Sequence, residues 1–261
     1  MFEGKVAIVT GSGTGIGEST AVELAKLGAK VTINYSKSKA EAEDTGEQVE
    51  KAGGEAIVIQ ANVSDDEDCR RLTQATLDKW GRVDILVNNA GTTKFNDHGN
   101  LDGLDKDDFL HIYGTNVVGP YQMVRACYPQ MQKQYEEEGA VSSIVNMASI
   151  AGVRGIGSSV AYAASKGALN TMTMSLARAL APAARVNAIC PGWVGTPWMV
   201  NEFGEEFFKV LVSNVEKNTP MGHAGVAEDV AKATLFFCSD WSRHVTGETM
   251  LVDGGYHLAL K

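Results

Sequence analysis

Short apolar runs rich in Val and Ile recur along the chain, and segments with helical periodicity lie between them. The runs cover residues 6–9, 31–33, 56–59, 83–87, 143–146, 186–189 and 249–252. Strands without apolar–polar alternation are typical of parallel sheets that helices cover on both faces. The sequence therefore predicts an α/β fold with a doubly wound parallel sheet of about seven strands and helices on both faces.

The size of the chain favours a single domain. Its 261 residues are 44% apolar and 21% charged, and no internal repeat or Pro/Ser-rich linker divides them. We therefore expect residues 1–261 to form one domain. Ser64, with Glu67 three residues later, predicts a capping box at the start of one of its helices.

Charge and residue usage exclude several classes of partner and site. The net charge is −9, so nucleic acid and anionic membranes are unfavourable partners. The amino terminus lacks a basic stretch leading into an apolar one, and no apolar run approaches ~18 residues, so we expect a cytoplasmic protein with no membrane partner. The four cysteines form no CxxC pair and the five histidines no HExxH pattern, so we expect no metal site.

A glycine-rich turn follows the first predicted strand. Residues 10–17 read TGSGTGIG, and a helix-like segment comes next. A bare backbone between a strand and a helix brings N–H groups and the positive helix end up to a pyrophosphate. Gly11, Gly15 and Gly17 have GxxxGxG spacing without GK[ST], which favours a dinucleotide over a Walker-type triphosphatase. Considered alone, such a turn is explained equally well as a flexible connection between a strand and a helix.

The pattern Tyr-x-x-x-Lys occurs twice, with Tyr35 and Lys39 and with Tyr162 and Lys166. Tyr162 lies in a predicted helix rich in small residues, so Lys166 shares its face and is expected to lower the pKa of the phenol from ~10. Such a phenol can act as a general acid or base near neutral pH. Tyr35 ends a predicted strand, and we interpret its match as accidental. Ser149 follows the fifth predicted strand, at the sheet edge where doubly wound folds bind ligands.

Several motifs in chain order carry a resemblance to a known family. They are TGxxxGxG at 10–17, Asn88, Asn89, Ala90, Gly91, Asn116, Ser149, Tyr162, Lys166, Pro191, Gly192 and VDGG at 252–255. Together they resemble the short-chain dehydrogenase/reductase family, which has a Rossmann-type fold, over essentially the whole chain. The resemblance implies that Tyr162 is the general acid/base and that Ser149 hydrogen-bonds the substrate oxygen. It also implies that Lys166 holds the nicotinamide ribose and that Asn116 supports a proton relay.

The resemblance implies a nicotinamide dinucleotide along the glycine turn and the strand ends. The residues expected to hold it, besides Tyr162 and Lys166, are Gly11, Ser12, Gly13, Thr14, Gly15, Ile16, Gly17, Asn34, Tyr35, Ser36, Lys37, Asn62, Val63, Asn89, Ala90, Gly91, Pro191, Gly192, Val194 and Thr196. The family often has Asp where this chain has Asn62, whose carbonyl can still accept from the adenine amino group.

The choice between NADP(H) and NAD(H) is expected to depend on the segment after the second strand. An acid there would bond the ribose 2′-hydroxyl and repel a 2′-phosphate. The chain has Ser36, Lys37 and Lys39 instead, with no acid before Glu41. NADP(H) is therefore favoured, because charge-assisted hydrogen bonds to a phosphate are strong. NAD(H) stays possible, since these lysines can be ordinary surface residues and Thr14 stands where some NADP-selective relatives have a basic residue.

The segment at about 192–218 resembles a substrate lid of the family. Its glycines permit movement, and Trp193 and Trp198 offer the apolar surface that excludes water. Ordinary packing beneath a helix is an equal alternative for these aromatic residues. Phe95, His98 and Arg154 are weaker candidates for substrate contact, and a solvated arginine is the common case.

The function expected from this resemblance is hydride transfer between NAD(P)(H) and a ketone or secondary alcohol. The alternatives are a 3-oxoacyl-carrier-protein reductase and a non-catalytic dinucleotide sensor on the same fold. Reductases that use the acidic carrier tend to present basic residues before the fifth strand, whereas residues 133–138 read KQYEEE here. The resemblance also implies a homotetramer or dimer, and a small-molecule carbonyl or alcohol as substrate.

Overall fold

A computed structural model describes residues 1–195 and 204–259, with only the backbone of Phe207. Among these residues, seven strands form one sheet: β1 (Val6–Val9), β2 (Lys30–Tyr35), β3 (Glu55–Gln60), β4 (Ile85–Asn88), β5 (Ser142–Met147), β6 (Ala184–Pro191) and β7 (Thr249–Val252). Their order is β3-β2-β1-β4-β5-β6-β7, and every neighbouring pair is parallel. Strands are added in one direction from β1 to β3 and in the opposite direction from β4 to β7. Doubly wound folds bind ligands at this switch point, between β1 and β4.

Helices connect the strands in the described part of the chain. They are α1 (Gly15–Lys26), α2 (Lys39–Lys51), α3 (Asp66–Trp80), α4 (Lys106–Tyr113), α5 (Gly119–Glu138), α6 (Ala151–Arg154), α7 (Val160–Leu180), α8 (Glu205–Asn218), α9 (Ala227–Cys238) and α10 (Tyr256–Ala259). A π-helical turn at Gly114–Val118 joins α4 to α5.

Two apolar cores lie between the sheet and the helices, one on each face of the sheet. One contains Val9 of β1 together with buried residues of α1, α2 and α9. The other contains Ile8 of the same strand with residues of α3, α5 and α7. Because successive strand side chains point to opposite faces, this division confirms the predicted doubly wound fold with helices on both faces.

The predicted cap of α3 is wrong by one residue. The side chain of Asp65, not Ser64, accepts from the backbone N–H groups of Glu67 and Asp68, at 2.9 and 3.1 Å. The Ser64 hydroxyl instead donates to the Asn62 side chain at 2.9 Å. A carboxylate at the positive helix end is the better acceptor, and it takes the cap position.

Arg185 on β6 holds the end of α9 through backbone carbonyls. Its guanidinium donates to Ser242 Oγ at 2.8 Å, to Phe237 O at 3.0 Å and to Ser239 O at 3.2 Å. Burial lowers the pKa of this guanidinium. Arg185→Met is expected to reduce the free energy of unfolding by about 2 kcal/mol, because buried carbonyls lose their donors. Urea denaturation measures the change, and no loss relative to the exposed control Arg243→Met would contradict it.

Residues 1–195 and 204–259 contain neither a candidate membrane span nor a candidate metal cluster. No helix in these ranges is long and apolar enough to cross a membrane. No group of three or more His, Cys, Asp or Glu residues there is arranged to hold a metal ion.

Candidate active site

A large cleft runs along the carboxyl ends of the strands, with a volume of about 1740 Å³. Its lining comes from the segments that follow β1 to β6 and from α8. Pockets for drug-sized ligands are typically about 300–1,000 Å³, so this cleft can hold a dinucleotide and a second small molecule.

The glycine turn forms one end of the cleft and is held against the segment after β4. The Asn89 amide donates to the carbonyls of Thr10 and Gly11, both at 2.9 Å. A Cβ on Gly11, whose φ is +59°, would lie 2.8 Å from Ala90 Cα. A Cβ on Gly17 would lie 2.4 Å from Asn89 Nδ2. Glycine is therefore required for these close approaches, and α1 begins at the cleft with Gly15.

Most of the residues predicted to hold the dinucleotide line this cleft. They are Gly11, Thr14, Gly15, Ile16, Asn34, Ser36, Lys37, Asn62, Val63, Asn89, Ala90, Gly91, Pro191, Gly192 and Val194. Thr196 lies outside the described residues. The lining also includes Ser64, Thr92, His111 and Thr115, which the motifs did not reveal.

Four predicted contact residues lie behind the cleft instead, namely Ser12, Gly13, Gly17 and Tyr35. Ser12 is fully buried, and its hydroxyl donates to Val9 O at 2.7 Å and accepts from Asn34 N at 3.0 Å. The Tyr35 ring packs against the apolar core. Motif spacing marks the whole turn, whereas packing buries part of it, with Gly13 against Ala42 and Gly17 against Asn89.

Asn34 joins three strand ends. Its side-chain oxygen accepts from Gly11 N at 3.1 Å, and its amide donates to Ala61 O at 2.9 Å. Because both ends of this side chain are hydrogen-bonded within the protein, Asn34 shapes the turn. Ser36 and Lys37, which follow it, are exposed and line the cleft.

Ser149, Tyr162 and Lys166 meet in the middle of the cleft, and all three line it. The Ser159 hydroxyl accepts from Tyr162 N at 3.2 Å and caps α7 just before the tyrosine. Lys166, only 3% exposed, donates from Nζ to Met147 O at 2.7 Å. The same Nζ lies 5.6 Å from the centroid of the Tyr162 ring.

Burial controls the ionisation of both groups. Burial raises the pKa of the Tyr162 phenol above 10.0, and a hydrogen bond with Ser149 lowers it by a smaller amount. Burial also lowers the pKa of the Lys166 ammonium to about 8. The Tyr162 pKa is therefore raised rather than lowered as expected: desolvation of the phenolate is the largest cause, and Lys166 is not among the causes.

Asn116 is fully buried in the π-helical turn and does not line the cleft. Its side chain accepts from Thr92 N at 2.8 Å and donates to Thr92 O at 2.9 Å and to Ser165 Oγ at 3.0 Å. Ser165 Oγ in turn donates to Tyr162 O at 2.7 Å. Asn116 thus reaches the tyrosine backbone through Ser165, a serine inside the Tyr-x-x-x-Lys motif that sequence reasoning passed over.

The predicted substrate contacts divide into two groups. Phe95 and Trp193 line the cleft. His98 and Arg154 do not: a His98 ring nitrogen lies 3.2 Å from Gly157 O, and Arg154 is exposed on α6. The half-buried His98 ring is thus turned to the backbone at Gly157, and the long Arg154 side chain extends into solvent. Trp198 lies outside the described residues.

The described part of the expected lid is built around Trp193 and α8. The Trp193 and Phe208 rings lie 5.5 Å apart between centroids. The indole Nε1 of Trp193 is buried without a hydrogen-bond acceptor among the described residues. Leu211 and Val215 of α8 line the cleft beside it, together with Asn214. The aromatic residues here therefore serve both as packing and as cleft wall.

The buried Lys166 ammonium gives a prediction about stability. Its folded-state pKa is lowered, so between pH 10.5 and about 8 the unfolded chain binds a proton that the folded chain lacks. The folded state therefore loses stability as pH falls through this range, and the loss is complete below it. Lys166→Met is expected to raise the free energy of unfolding at pH 7 by about 2 kcal/mol, after allowing for the lost Met147 hydrogen bond.

Urea denaturation at pH 7 and pH 10 tests this expectation, because the gain should shrink at the higher pH. Lys51→Met is the matched control, since the Lys51 side chain is 72% exposed. A variant at Lys166 that is less stable than the native protein at both pH values would contradict the prediction.

Comparison with known proteins identifies relatives over nearly the full chain. A family model described as enoyl-(acyl carrier protein) reductase matches residues 11–257. A Streptomyces violaceoruber protein named as ketoacyl reductase 2 of the granaticin polyketide synthase is 40% identical over 256 residues, covering 98% of this chain and 97% of that protein.

Solved structures share the same architecture. A protein described as a short-chain dehydrogenase/reductase from Burkholderia xenovorans has a TM-score of 0.90 and 34% identity, covering 97% of this chain and 98% of its own. The 3-ketoacyl-(acyl-carrier-protein) reductase from Brucella melitensis, complexed with NADH, has a TM-score of 0.86 and 35% identity, covering 98% of this chain and 99% of its own. This chain therefore belongs to the short-chain dehydrogenase/reductase family of oxidoreductases.

Proposed function

We propose that the protein transfers hydride between a nicotinamide dinucleotide and a ketone or secondary alcohol, with Tyr162 as general acid/base. The observation that carries this proposal is the meeting of Ser149, Tyr162 and Lys166 in the cleft that also contains the glycine turn. A turn alone or a tyrosine alone has structural explanations. Their convergence in one cleft supports a reaction that needs a dinucleotide and a proton donor together.

The residues of the cleft fit a dinucleotide. Backbone N–H groups at the start of α1 and the bare turn before it suit the pyrophosphate. Ser36 and Lys37 suit the adenosine ribose, and Lys166 suits the nicotinamide ribose. When bound, the nicotinamide would supply or accept the hydride, which no side chain can do.

The side chains of the chain itself would handle the proton and the developing charge. At neutral pH the Tyr162 phenol is protonated, because its pKa is raised, and it can donate to a substrate carbonyl oxygen. Ser149 hydrogen-bonds Tyr162 and is positioned to bind the same oxygen. The Lys166 ammonium, held by Met147 O at 2.7 Å, stabilises negative charge as it appears in this region. Asn116 and Ser165 fix the backbone of the tyrosine.

We favour NADP(H) as the dinucleotide, with NAD(H) as the alternative. Ser36 and Lys37 border the cleft, whereas Lys39, the second cation after β2, pairs with Glu43 at 3.4 Å. A cation and a hydroxyl donor at this point suit a 2′-phosphate. The solved Brucella reductase is complexed with NADH, so related proteins at 35% identity also bind the unphosphorylated form.

Acyl carrier protein is the alternative substrate carrier, since two relatives are named as ketoacyl reductases. The charges near the end of α5 oppose it. Arg125 pairs with Asp66, and Lys133 pairs with Glu137 at 4.0 Å. Each of these cations already has a carboxylate nearby, which weakens its attraction for an acidic carrier. We expect carrier-bound acetoacetyl groups to be reduced no faster than acetoacetyl N-acetylcysteamine, and a large carrier advantage would contradict this.

A panel of ketones and secondary alcohols, assayed by nicotinamide absorbance with each dinucleotide, tests the proposed reaction. Turnover of at least one carbonyl compound supports it. Dinucleotide binding without any turnover across the panel would favour the non-catalytic sensor.

We also propose that residues 1–261 act as one domain and that the protein assembles as a homotetramer or dimer. Large apolar side chains are exposed on α4, α5 and α7, including Leu110, Tyr121 and Met174 at 59%, 48% and 47%. Exposed apolar residues on neighbouring helices are typical of interfaces. Light scattering after size-exclusion chromatography gives the mass, and a monomer would contradict the assembly.

A further inference from the structure

The half of the cleft beyond Tyr162 has apolar walls. The loop after β4 contributes Phe95, the segment after β5 contributes Ile150 and Ile156, and the lid region contributes Trp193, Leu211 and Val215. The polar residues of the same lining are the neutral Asn96, Ser158, Asn214 and Asn218 and the acidic Asp97. A molecule bound against this surface is therefore expected to be largely apolar.

This half of the cleft lies directly beside the tyrosine. Thr93 Oγ1 and Ser158 Oγ are 2.7 Å apart, and Asn96 N donates to Ser158 O at 2.8 Å. These bonds join the loop after β4 to the segment that precedes α7. A Cβ on Gly157 in that segment would lie 3.7 Å from Tyr162 Cδ1. The segment that carries Ile156 and Gly157 thus lies beside the Tyr162 ring.

Positive charge is absent from this half among the described lining residues. Asp97 is the acidic residue there, and the two lysines of the lining are Lys37, after β2, and Lys166, whose Nζ is held by Met147 O at 2.7 Å. Of the undescribed residues next to Gly195, those at 196–203, the one ionisable side chain in the sequence is Glu202. The sequence from Gly192 to Gly204 therefore contains neither Lys nor Arg.

The surrounding surface is acidic as well. Residues 92–108 contain five Asp and two Lys, a net charge of −3, and α8 contains three Glu and two Lys, a net charge of −1. Lys94 is paired with Asp108 at 2.6 Å, and Lys209 with Glu206 at 2.9 Å. An anion approaching this mouth of the cleft meets repulsion, and these lysines already have carboxylate partners.

We propose that the substrate is an uncharged, largely apolar ketone or secondary alcohol, free in solution, and that the cleft rejects carboxylates and phosphate-bearing carriers. This inference rests on the proposed function and narrows it to one chemical class. A carboxylate placed against Ile156 and Leu211 would lose its hydration without gaining a cation. An ester or plain ketone of the same shape loses far less on leaving water.

A matched pair of substrates tests the inference. Methyl 4-oxo-4-phenylbutanoate and 4-oxo-4-phenylbutanoate share one ketone and one aromatic ring and differ in charge at one end. We expect kcat/KM for the ester to exceed that for the acid by about 100-fold, because the carboxylate is buried unpaired. Equal values for ester and acid, or a preference for the acid, would overturn the inference.

Two substitutions to lysine on α8 test whether the cleft wall causes the discrimination against the acid. Asn214 lines the cleft, whereas Val210 on the same helix is 57% exposed and does not line it. Asn214→Lys is expected to reduce the ester-to-acid ratio at least about tenfold, because a cation enters the wall. Val210→Lys adds the same charge outside the wall and should leave the ratio within about twofold. Equal effects of the two variants would show that the walls do not select against charge.

Ligand binding separates this inference from the proposed reaction. With saturating dinucleotide, quenching of tryptophan fluorescence reports binding of ester and acid, since Trp193 lines the cleft. If neither compound is turned over but the ester alone binds, the proposed reaction fails and the inference on charge stands. If both bind equally, the inference fails whether or not turnover occurs.

Discussion

Replacing Tyr162 with Phe is expected to lower kcat for carbonyl reduction by about 10²–10⁴-fold, the usual contribution of a general acid. The ring still packs against the cleft, and Tyr162 N still donates to Ser159 Oγ at 3.2 Å, so α7 keeps its start. The dissociation constant of the dinucleotide should change by less than about twofold. Steady-state kinetics and a fluorescence titration of the dinucleotide measure the two effects separately.

Tyr35 provides a matched control because it belongs to the other Tyr-x-x-x-Lys sequence in the chain. Its ring packs against the apolar core at the end of β2 and does not line the cleft. Tyr35→Phe should therefore leave kcat within about twofold of the native value. The proposed mechanism would be wrong if Tyr162→Phe kept more than about half of the activity, or if the two variants lost equal amounts.

The arrangement of the strands was predictable because each buried strand leaves a continuous apolar run in the sequence. β1 and β7 have the predicted bounds, at Val6–Val9 and Thr249–Val252. β4 begins at Ile85, two residues later than the apolar run. The Asp84 backbone still bonds to Val6 O and Ser143 N, both at 2.9 Å, while its side chain accepts from Val6 N and Arg82, so the boundary shifts without a break in pairing.

The location of the cleft was predictable from the topology, but the direction of individual side chains was not. Ser12, Gly17 and Tyr35 belong to the marked segments and yet face inward, because packing against neighbouring strands decides which residues face the ligand side. His98 and Arg154 were predicted to contact substrate from their chemical type alone. Residue type does not determine whether a side chain points into the cleft or toward solvent.

The ionisation of the site depends on burial, which a sequence does not reveal. The i, i+4 spacing of Tyr162 and Lys166 indicates a shared helix face, and the amine does lie near the ring, at 5.6 Å from its centroid. The desolvation that raises the tyrosine pKa arises from the surrounding walls, which come from distant parts of the chain. Ser165 was missed for the same reason, because its bond to Asn116 spans 49 positions.

Ser36→Asp is expected to reverse the preference between the two dinucleotides. The native enzyme should use NADPH with a higher kcat/KM than NADH, because Ser36 and Lys37 border the cleft after β2. An aspartate removes a hydroxyl donor and places a negative charge beside a 2′-phosphate. At this exposed position the ratio of kcat/KM for NADPH to that for NADH should fall by about 10²-fold. Part of the loss should appear in KM for NADPH, and NADH should gain a partner for its 2′-hydroxyl.

Ser38→Asp is the matched control, since it adds the same charge two residues along the chain at the N-cap of α2, where Asp is well tolerated. Ser38 does not line the cleft, so the cofactor ratio should change by less than about threefold. Initial rates with one ketone and both reduced dinucleotides give all the ratios needed. A native preference for NADH, or a ratio that Ser36→Asp and Ser38→Asp change equally, would show that the segment after β2 does not contact the ribose 2′ position.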